Sequence, residues 1–276
     1  MKQYLDALKH CYEIGIDVES RAGKVRKAFG YQMRYNLHQG FPAMTTKKLA
    51  WKACISELLW FLEGSNDERR LAEILYEDKR ENLKDKKTIW TQNANSDYWK
   101  SKSQFEGDVG KIYGVQWRNF NGVDQIETLI QGLKKDPNGR RHILSAWNPG
   151  ELDSMSLPPC HAFSQFYVAN NKLSCQLYQR SCDMFLGVPF NIANYSLLVH
   201  IIAAECSLEV GEFVHTLGDY HIYHEHFDAI KIQLERSPKE LPQLNFIKKN
   251  IFDYVVSDFT LTNYQPDPII KAPMNV

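Results

Sequence analysis

Cys160 stands in the segment LPPCH, where two prolines fix the approach of the chain and hold the thiol at the end of a rigid stretch. A nucleophilic cysteine needs a nearby cation or donor that favours the thiolate, which can bring its pKa from about 8.5 to about 7 or below. Arg180, in YQRSCD, supplies that cation if its strand lies beside Cys160. Without such company a lone cysteine reads as a small buried hydrophobe. Arg21, Arg140, Arg141, Arg180 and Ser181 have the chemistry of phosphate ligands, because guanidinium groups make paired charge-assisted hydrogen bonds to phosphate oxygens. Each alone is equally an ordinary solvated group, and the AGKVRK turn after Arg21 lacks Walker spacing.

His221, His224 and His226 invite a metal reading, but one short segment cannot aim all three at one ion, and a fourth ligand is not evident. His221 and Tyr223, two apart near a strand end, instead point together at a sugar hydroxyl. Asn191, after the tight LGVPF turn, has an amide that both donates and accepts, as a uracil edge requires; a helix-capping role fits its local sequence equally well.

These residues need elements to position them. A chain of 276 residues with 43% hydrophobic positions buries a large core. No linker, repeat or low-complexity stretch divides it, so one domain over residues 1–276 is expected. The first helix runs from Lys2 to Ile14, and Phe29 to Leu37 reads as a strand after a basic loop. Helical spacing of Trp51, Cys54, Ile55, Leu58, Leu59 and Leu62 predicts a helix from Ala50 to Leu62, stopped by Gly64 and carrying Glu57 among apolar neighbours. Residues 65–112 are polar and resist assignment, apart from a helix over Glu68 to Tyr76.

Asp124 to Lys134 is an amphipathic helix, His142 to Trp147 a strand, and Ala162 to Gln179 a strand pair turning near Asn170-Asn171. A buried helix follows from Ile192 to Ser207, then a strand from Phe213 to Thr216 and a helix from Tyr223 to Glu235. Strands and helices mix without strict alternation, which predicts an α+β or mixed-sheet α/β fold.

Lys plus Arg equal Asp plus Glu at 33 each, so no global field draws the chain to nucleic acid or an anionic membrane. The apolar run Tyr195 to Cys206 falls short of the ~20 residues that span a bilayer. Six cysteines without a Cys-x-x-Cys pair, and a polar amphipathic N-terminus, imply a reducing, cytoplasmic compartment. Neither DNA nor membrane is an expected partner.

Taken together, FPAMTTKKLAWKACISELLWFLEGS, RRHILSAWNPGELDSMSLPPCHAFSQFYV, LSCQLYQRSCDMFLGVPFNIANYSLLVH and GDYHIYHEHF closely resemble the thymidylate synthase family, and the likeness runs the length of the chain. The resemblance implies a mixed α/β fold, an obligate homodimer packed sheet to sheet, and 5,10-methylenetetrahydrofolate as one-carbon donor, with no metal. It implies Cys160 as the nucleophile that adds to carbon 6 of dUMP, making carbon 5 nucleophilic toward the folate methylene. Arg180, Ser181 and Arg21 resemble phosphate ligands of one subunit, and Arg140 with Arg141 the pair reaching across from the other. Asn191 resembles the reader of the uracil edge, His221 and Tyr223 the ribose contacts, and Glu57, His161 and Tyr113 a water-linked proton relay. Ile89, Trp90, Leu157, Asp183, Leu186, Gly187 and Phe190 resemble the folate site, with Asp183 on the pterin and Met274, Asn275 and Val276 closing over it.

Several positions depart from the family pattern. The phosphate loop is altered over Arg21 to Lys27; Thr91 replaces an Asp; Val109-Gly110-Lys111 replaces Leu-Gly-Pro; Tyr-x-Asn-His appears as Tyr223-His224-Glu225-His226. Asn194 stands for a Ser and Asn275 for an Ala. Changes near the folate keep open a phage-type deoxyuridylate hydroxymethyltransferase, working in a host cytoplasm, in which water and not hydride captures the intermediate. A catalytically silent paralogue is a third reading, opposed by intact Cys160, Arg180, Asn191 and Glu57.

Overall fold

The computed structural model describes residues 1–20 and 23–274. In chain order, α1 (Lys2–Ile14), β1 (Ile16–Ser20) and β2 (Gly23–Asn36) precede α2 (Trp51–Glu63), α3 (Glu68–Tyr76) and two single turns, α4 (Thr91–Ala94) and α5 (Asp97–Lys100). Next come α6 (Tyr113–Arg118), α7 (Gln125–Lys135), β3 (Ile143–Ser145), β4 (His161–Ala169) and β5 (Lys172–Asp183). The chain continues through α8 (Gly187–Glu205), β6 (Glu209–Tyr223) and α9 (Phe227–Leu234) to the short strands β7 (Gln243–Asn245) and β8 (Thr260–Thr262).

Six strands form one mixed sheet in the order β1-β2-β6-β5-β4-β3, in which only β5 and β6 run parallel. The parallel pair requires a crossover, and α8 is that crossover. Its side chains are buried on every side, between the sheet and α2. By length and composition alone α8 would cross a bilayer, but 78% of that stretch is buried inside the protein. The opposite sheet face carries Phe163, Gln165 and Tyr167 of β4 and Gln176 of β5, all exposed.

Several expectations are met for the expected reasons. Tyr4, Ala7, Leu8 and Cys11 form the buried stripe of α1. Gly64 closes α2 in the left-handed region, which costs a glycine nothing. Asn170 and Asn171, at φ 50° and 60°, make the two-residue turn between β4 and β5, and asparagine tolerates that conformation better than most residues.

Other boundaries are corrected. The expected basic loop before Phe29 is strand from Gly23, and β1 was not foreseen. The hairpin's charges hide its alternation, because Arg26 lies opposite Asp17 and forms an ion pair with it. α8 begins at Gly187 and not at Ile192, since Pro189 falls in the first helical turn, where no intrahelical N–H is needed. Asn191 is therefore inside the helix and caps nothing.

β6 runs from Glu209 to Tyr223, far beyond Phe213 to Thr216, because partners on both sides satisfy its backbone. Tyr223 ends that strand, and the helix expected from it starts only at Phe227 after a short 3-10 turn. α6 had no sequence signal. It packs against α2 through Gly114, where an added Cβ would lie 2.7 Å from the Phe61 carbonyl oxygen and 2.8 Å from its Cα.

That approach sets two effects against each other in Gly114→Ala. Alanine gains up to about 1 kcal/mol of helix propensity, while a clash with unyielding backbone costs about 1–3 kcal/mol. The expected outcome is a net loss of about 1–2 kcal/mol, read as a lower urea midpoint at unchanged slope. An unchanged or higher midpoint would show that the two helices separate freely.

Candidate active site

Cys160 sits immediately before β4, where three groups fix it. Its backbone N–H donates to the Tyr113 hydroxyl at 2.7 Å, and its carbonyl accepts from the Arg180 N–H at 2.9 Å. The Arg180 side chain then clamps the two prolines, donating from Nε to the Pro159 carbonyl at 2.8 Å and from Nη2 to the Pro158 carbonyl at 2.7 Å. Nη2 also lies 3.9 Å from Cys160 Sγ. Arg180 is thus beside Cys160, as the strand pair allowed, and its plane lies over Trp147 with 5.3 Å to the ring centroid.

The thiol does not have the lowered pKa that this company was expected to produce. Burial is the largest influence and pushes the Cys160 thiol up; the Arg180 charge, then Tyr113 and Ser181, pull it back without reversing it.

Asn191 is held by a chain of buried amides. Gln179 Nε2 donates to the Ser181 carbonyl at 3.0 Å, and since a carbonyl only accepts, that end of the amide must be the NH2. The same nitrogen donates to Asn191 Oδ1 at 3.0 Å, so Gln179 Oε1 must accept from His215 Nε2 at 2.8 Å. His215 is therefore the Nε2–H tautomer, kept neutral by burial that pushes its pKa down to about 3. The polarity turns the Asn191 NH2 away from Gln179, and the Asn191 side chain also hydrogen-bonds His161. Neither Gln179 nor His215 was singled out in the sequence. A polar residue at an inward strand position, two before Ser181, was the available signal.

His161 is buried with its pKa pushed down to about 4 by desolvation, and its Nδ1 has no hydrogen-bond partner among the described residues. Its ring packs against Tyr113 at 5.0 Å and Tyr195 at 5.3 Å. Tyr113 lies 5.9 Å from the Trp90 ring, and Trp90 Nε1 donates to Glu57 Oε1 at 2.8 Å. Burial pushes the Glu57 carboxyl up to about 7, against the Trp90 hydrogen bond. Asn194 Nδ2 lies 3.4 Å from Glu57 Oε2, and its own Oδ1 is buried without a partner among the described residues. Cys160, Arg180, Tyr113, His161, Trp90 and Glu57 are thereby linked residue to residue.

Ile89 and Phe190 line one small apolar cavity with Glu57, Leu71, Leu75 and Ala53, of about 70 Å³. Leu157 and Leu186 are half-buried against the core. Asp183 Oδ1 accepts from the backbone N–H groups of Phe185 and Leu186 at 3.0 and 3.2 Å, holding the turn into α8 and leaving Oδ2. A Cβ added at Gly187 would meet only ordinary contacts, with Asp183 at 3.5 Å and Asn191 at 3.7 Å.

Across the parallel pair, Ser181 lies opposite Asp219 and Asp183 opposite His221, so His221 and Tyr223 come to the same strand ends. His221 bonds Asp219 at 3.1 Å and meets Tyr223 edge-on at 5.5 Å. His224 pairs with Asp17, and His226 bonds the Pro273 carbonyl at 2.8 Å, so the three histidines point to separate partners. Among the described residues no group of three or more His, Cys, Asp or Glu is placed to hold a metal ion.

Arg140 and Arg141 are not brought to Cys160. Both are exposed before β3, lining a groove of about 680 Å³ with Lys135 and His142. Met274 is exposed, while Arg21, Asn275 and Val276 lie outside the described residues. Thr91 turns its hydroxyl to Glu68 at 2.6 Å, not toward Glu57.

Compared with protein-family models, residues 2–276 match the family described as Thymidylate synthase.

The balance at the thiol is testable by alkylation. In Arg180→Met the main opposing influence is gone, so the pH midpoint of iodoacetamide reaction at Cys160 should rise above that of wild type. A midpoint that stays put would mean that Arg180 acts on the prolines alone.

Proposed function

The chain belongs to the thymidylate synthase family, and from that membership we propose that it transfers a one-carbon unit from 5,10-methylenetetrahydrofolate to carbon 5 of dUMP, giving dTMP and dihydrofolate. The observation that carries this reading is Cys160, held at three points, with a guanidinium 3.9 Å from its sulfur. Burial pushes the Cys160 thiol up, so its attack on carbon 6 needs a proton acceptor to take the thiol proton as the sulfur–carbon bond forms.

Cys160 adds to carbon 6 of the pyrimidine and leaves again at the end of the cycle, while carbon 5 exchanges its proton for the carbon unit. Arg180 keeps Nη1 for the nucleotide phosphate, joined by Ser181 and Arg21. The Asn191 NH2 donates to a uracil carbonyl and its Oδ1 accepts from the ring N–H, with His221 and Tyr223 on the ribose. Glu57 at about 7 carries protons in both directions near neutral pH, with Tyr113 and His161 completing the relay. Ile89, Trp90, Leu157, Asp183, Leu186, Gly187 and Phe190 hold the folate, and Met274 closes over it.

The exposed face of Phe163 and Tyr167 supports a homodimer built sheet to sheet, in which Arg140 and Arg141, exposed here, serve the partner's phosphate site. Six free cysteines support a cytoplasmic setting.

Asn194 favours a second reading, deoxyuridylate hydroxymethyltransferase. Its buried oxygen, without a partner among the described residues, can seat a water near the intermediate, and its Nδ2 reaches Glu57.

The deciding experiment incubates the protein with dUMP and methylenetetrahydrofolate and reads nucleotide mass together with folate oxidation state. Thymidylate with dihydrofolate is expected; 5-hydroxymethyl-dUMP with tetrahydrofolate would establish the second reading. Cys160→Ala should abolish either product while dUMP binding persists, because the arginines and Asn191 carry ground-state affinity. In Asn191→Asp, discrimination against dCMP should fall, since a carboxylate accepts from the cytosine amino group but donates nothing to a uracil carbonyl; unchanged kcat/KM ratios would remove Asn191 from base selection.

A further inference from the structure

Glu68 begins α3 with its carboxylate almost wholly buried, at 1% exposure. Burying a charge is costly unless its partners are well placed, and Glu68 has a full set. Arg69 meets it with two bonds, at 2.5 and 2.6 Å. Thr88 and Thr91 each donate a hydroxyl to the same oxygen, Oε1, at 2.6 Å.

Those hydroxyls also accept. The Thr88 N–H donates to Thr91 Oγ1 at 2.8 Å, and the Trp90 N–H donates to Thr88 Oγ1 at 3.1 Å. The backbone is thereby tied on both sides of Ile89. Between residues 83 and 90 no helix or strand ladder holds the chain, and Arg69 Nη1 instead supports the Leu83 and Lys86 carbonyls at 3.1 and 2.9 Å. From this tied segment the Trp90 indole reaches Glu57 at 2.8 Å.

We propose that Glu68, acting through Thr88 and Thr91, is a positioning residue that holds the Trp90 indole N–H on the Glu57 carboxylate. A merely structural ion pair would need only Arg69; the two threonines, each donating to Glu68 and accepting from the backbone beside Trp90, aim the cluster at that side chain. Among the described residues the titratable groups that feel the Glu57 charge are the Cys54 thiol on its own helix and the Tyr195 hydroxyl on α8, both pushed up by burial and so uncharged near neutral pH, while Asn194 Nδ2 donates to the other Glu57 oxygen at 3.4 Å. The kinetic part of the test rests on the reading of Glu57 as proton carrier; the spectroscopic part does not.

The test uses the full chain and Thr91→Val, which removes the hydroxyl at nearly constant volume, with Glu68→Gln as a second variant and Thr91→Ser as the rescue. The Trp90 indole N–H resonance, assigned by its loss in Trp90→Phe, should exchange with solvent about tenfold or more faster in Thr91→Val and Glu68→Gln, and return in Thr91→Ser. The inflection near 7 in the pH–rate profile should move upward in the same two variants, because losing the indole donor favours the protonated carboxyl. Unchanged exchange in both variants would overturn the proposal. A responsive indole in an enzyme whose wild-type profile lacks that inflection would uphold the positioning role and reject Glu57 as the proton carrier.

Discussion

The register of β4 against β5 is the constraint on which the site depends. His161 lies opposite Gln179, and this pairing puts the backbone of Arg180 on the carbonyl of Cys160. Because strand side chains alternate, a slip of one residue would send Gln179 to the exposed face and Arg180 into the core. The asparagine turn sets the register from Ala169–Lys172 to Phe163–Tyr178, and an irregularity between His161 and Phe163 shifts it by one residue before Cys160. At the Cys160 end, Arg180 ties both proline carbonyls, so the cation that tunes the thiol also fixes where the thiol is. Gly218 on β6 lets this packing occur, since a Cβ there would lie 2.9 Å from the Tyr178 hydroxyl and 3.2 Å from Arg180 Cα.

Behind the thiol the protein keeps polarity without charge. His161 and His215 are driven neutral by burial, and the Gln179 amide converts a backbone carbonyl's fixed role as acceptor into a defined orientation at Asn191. Such a chain is directional, so its donors and acceptors are already ordered before any ligand arrives, which lowers the cost of binding. Some polar atoms here stay unsatisfied: His161 Nδ1, His215 Nδ1 and Asn194 Oδ1 are buried without partners among the described residues. Each costs about 1–3 kcal/mol as a bare protein group, which gives this region its incentive to take up water or ligand.

The polar stretch between α3 and α6 works differently. Its surface pairs, such as the exposed Arg70 with Glu63 and Arg80 with the half-buried Glu73, contribute little each. The buried Glu68 and Arg69 differ, since they satisfy backbone carbonyls and hydroxyls at once and give an irregular segment a single conformation. In this way a region without regular structure supports the Trp90 wall of the site.

Much of this was legible in the sequence. Periodic apolar spacing located α1, α2 and α7, and the paired asparagines located the β4–β5 turn, because local geometry decides those features. The company of Cys160 and Arg180 was readable from two motifs joined by one hairpin. Strand β6 was undercounted, because its length comes from partners on both sides and not from its own glycine-containing residues. Segment 65–112 was opaque since its order comes from side-chain bonds between distant residues, such as Asn66 with Asp108, for which no periodicity exists. The sequence by itself determined which groups are chemically able to act and which elements carry them. Only the tertiary structure decided that burial outweighs Arg180 at the thiol, that Thr91 faces Glu68, and that Trp90 meets Glu57, because desolvation and aim depend on what surrounds a group in space.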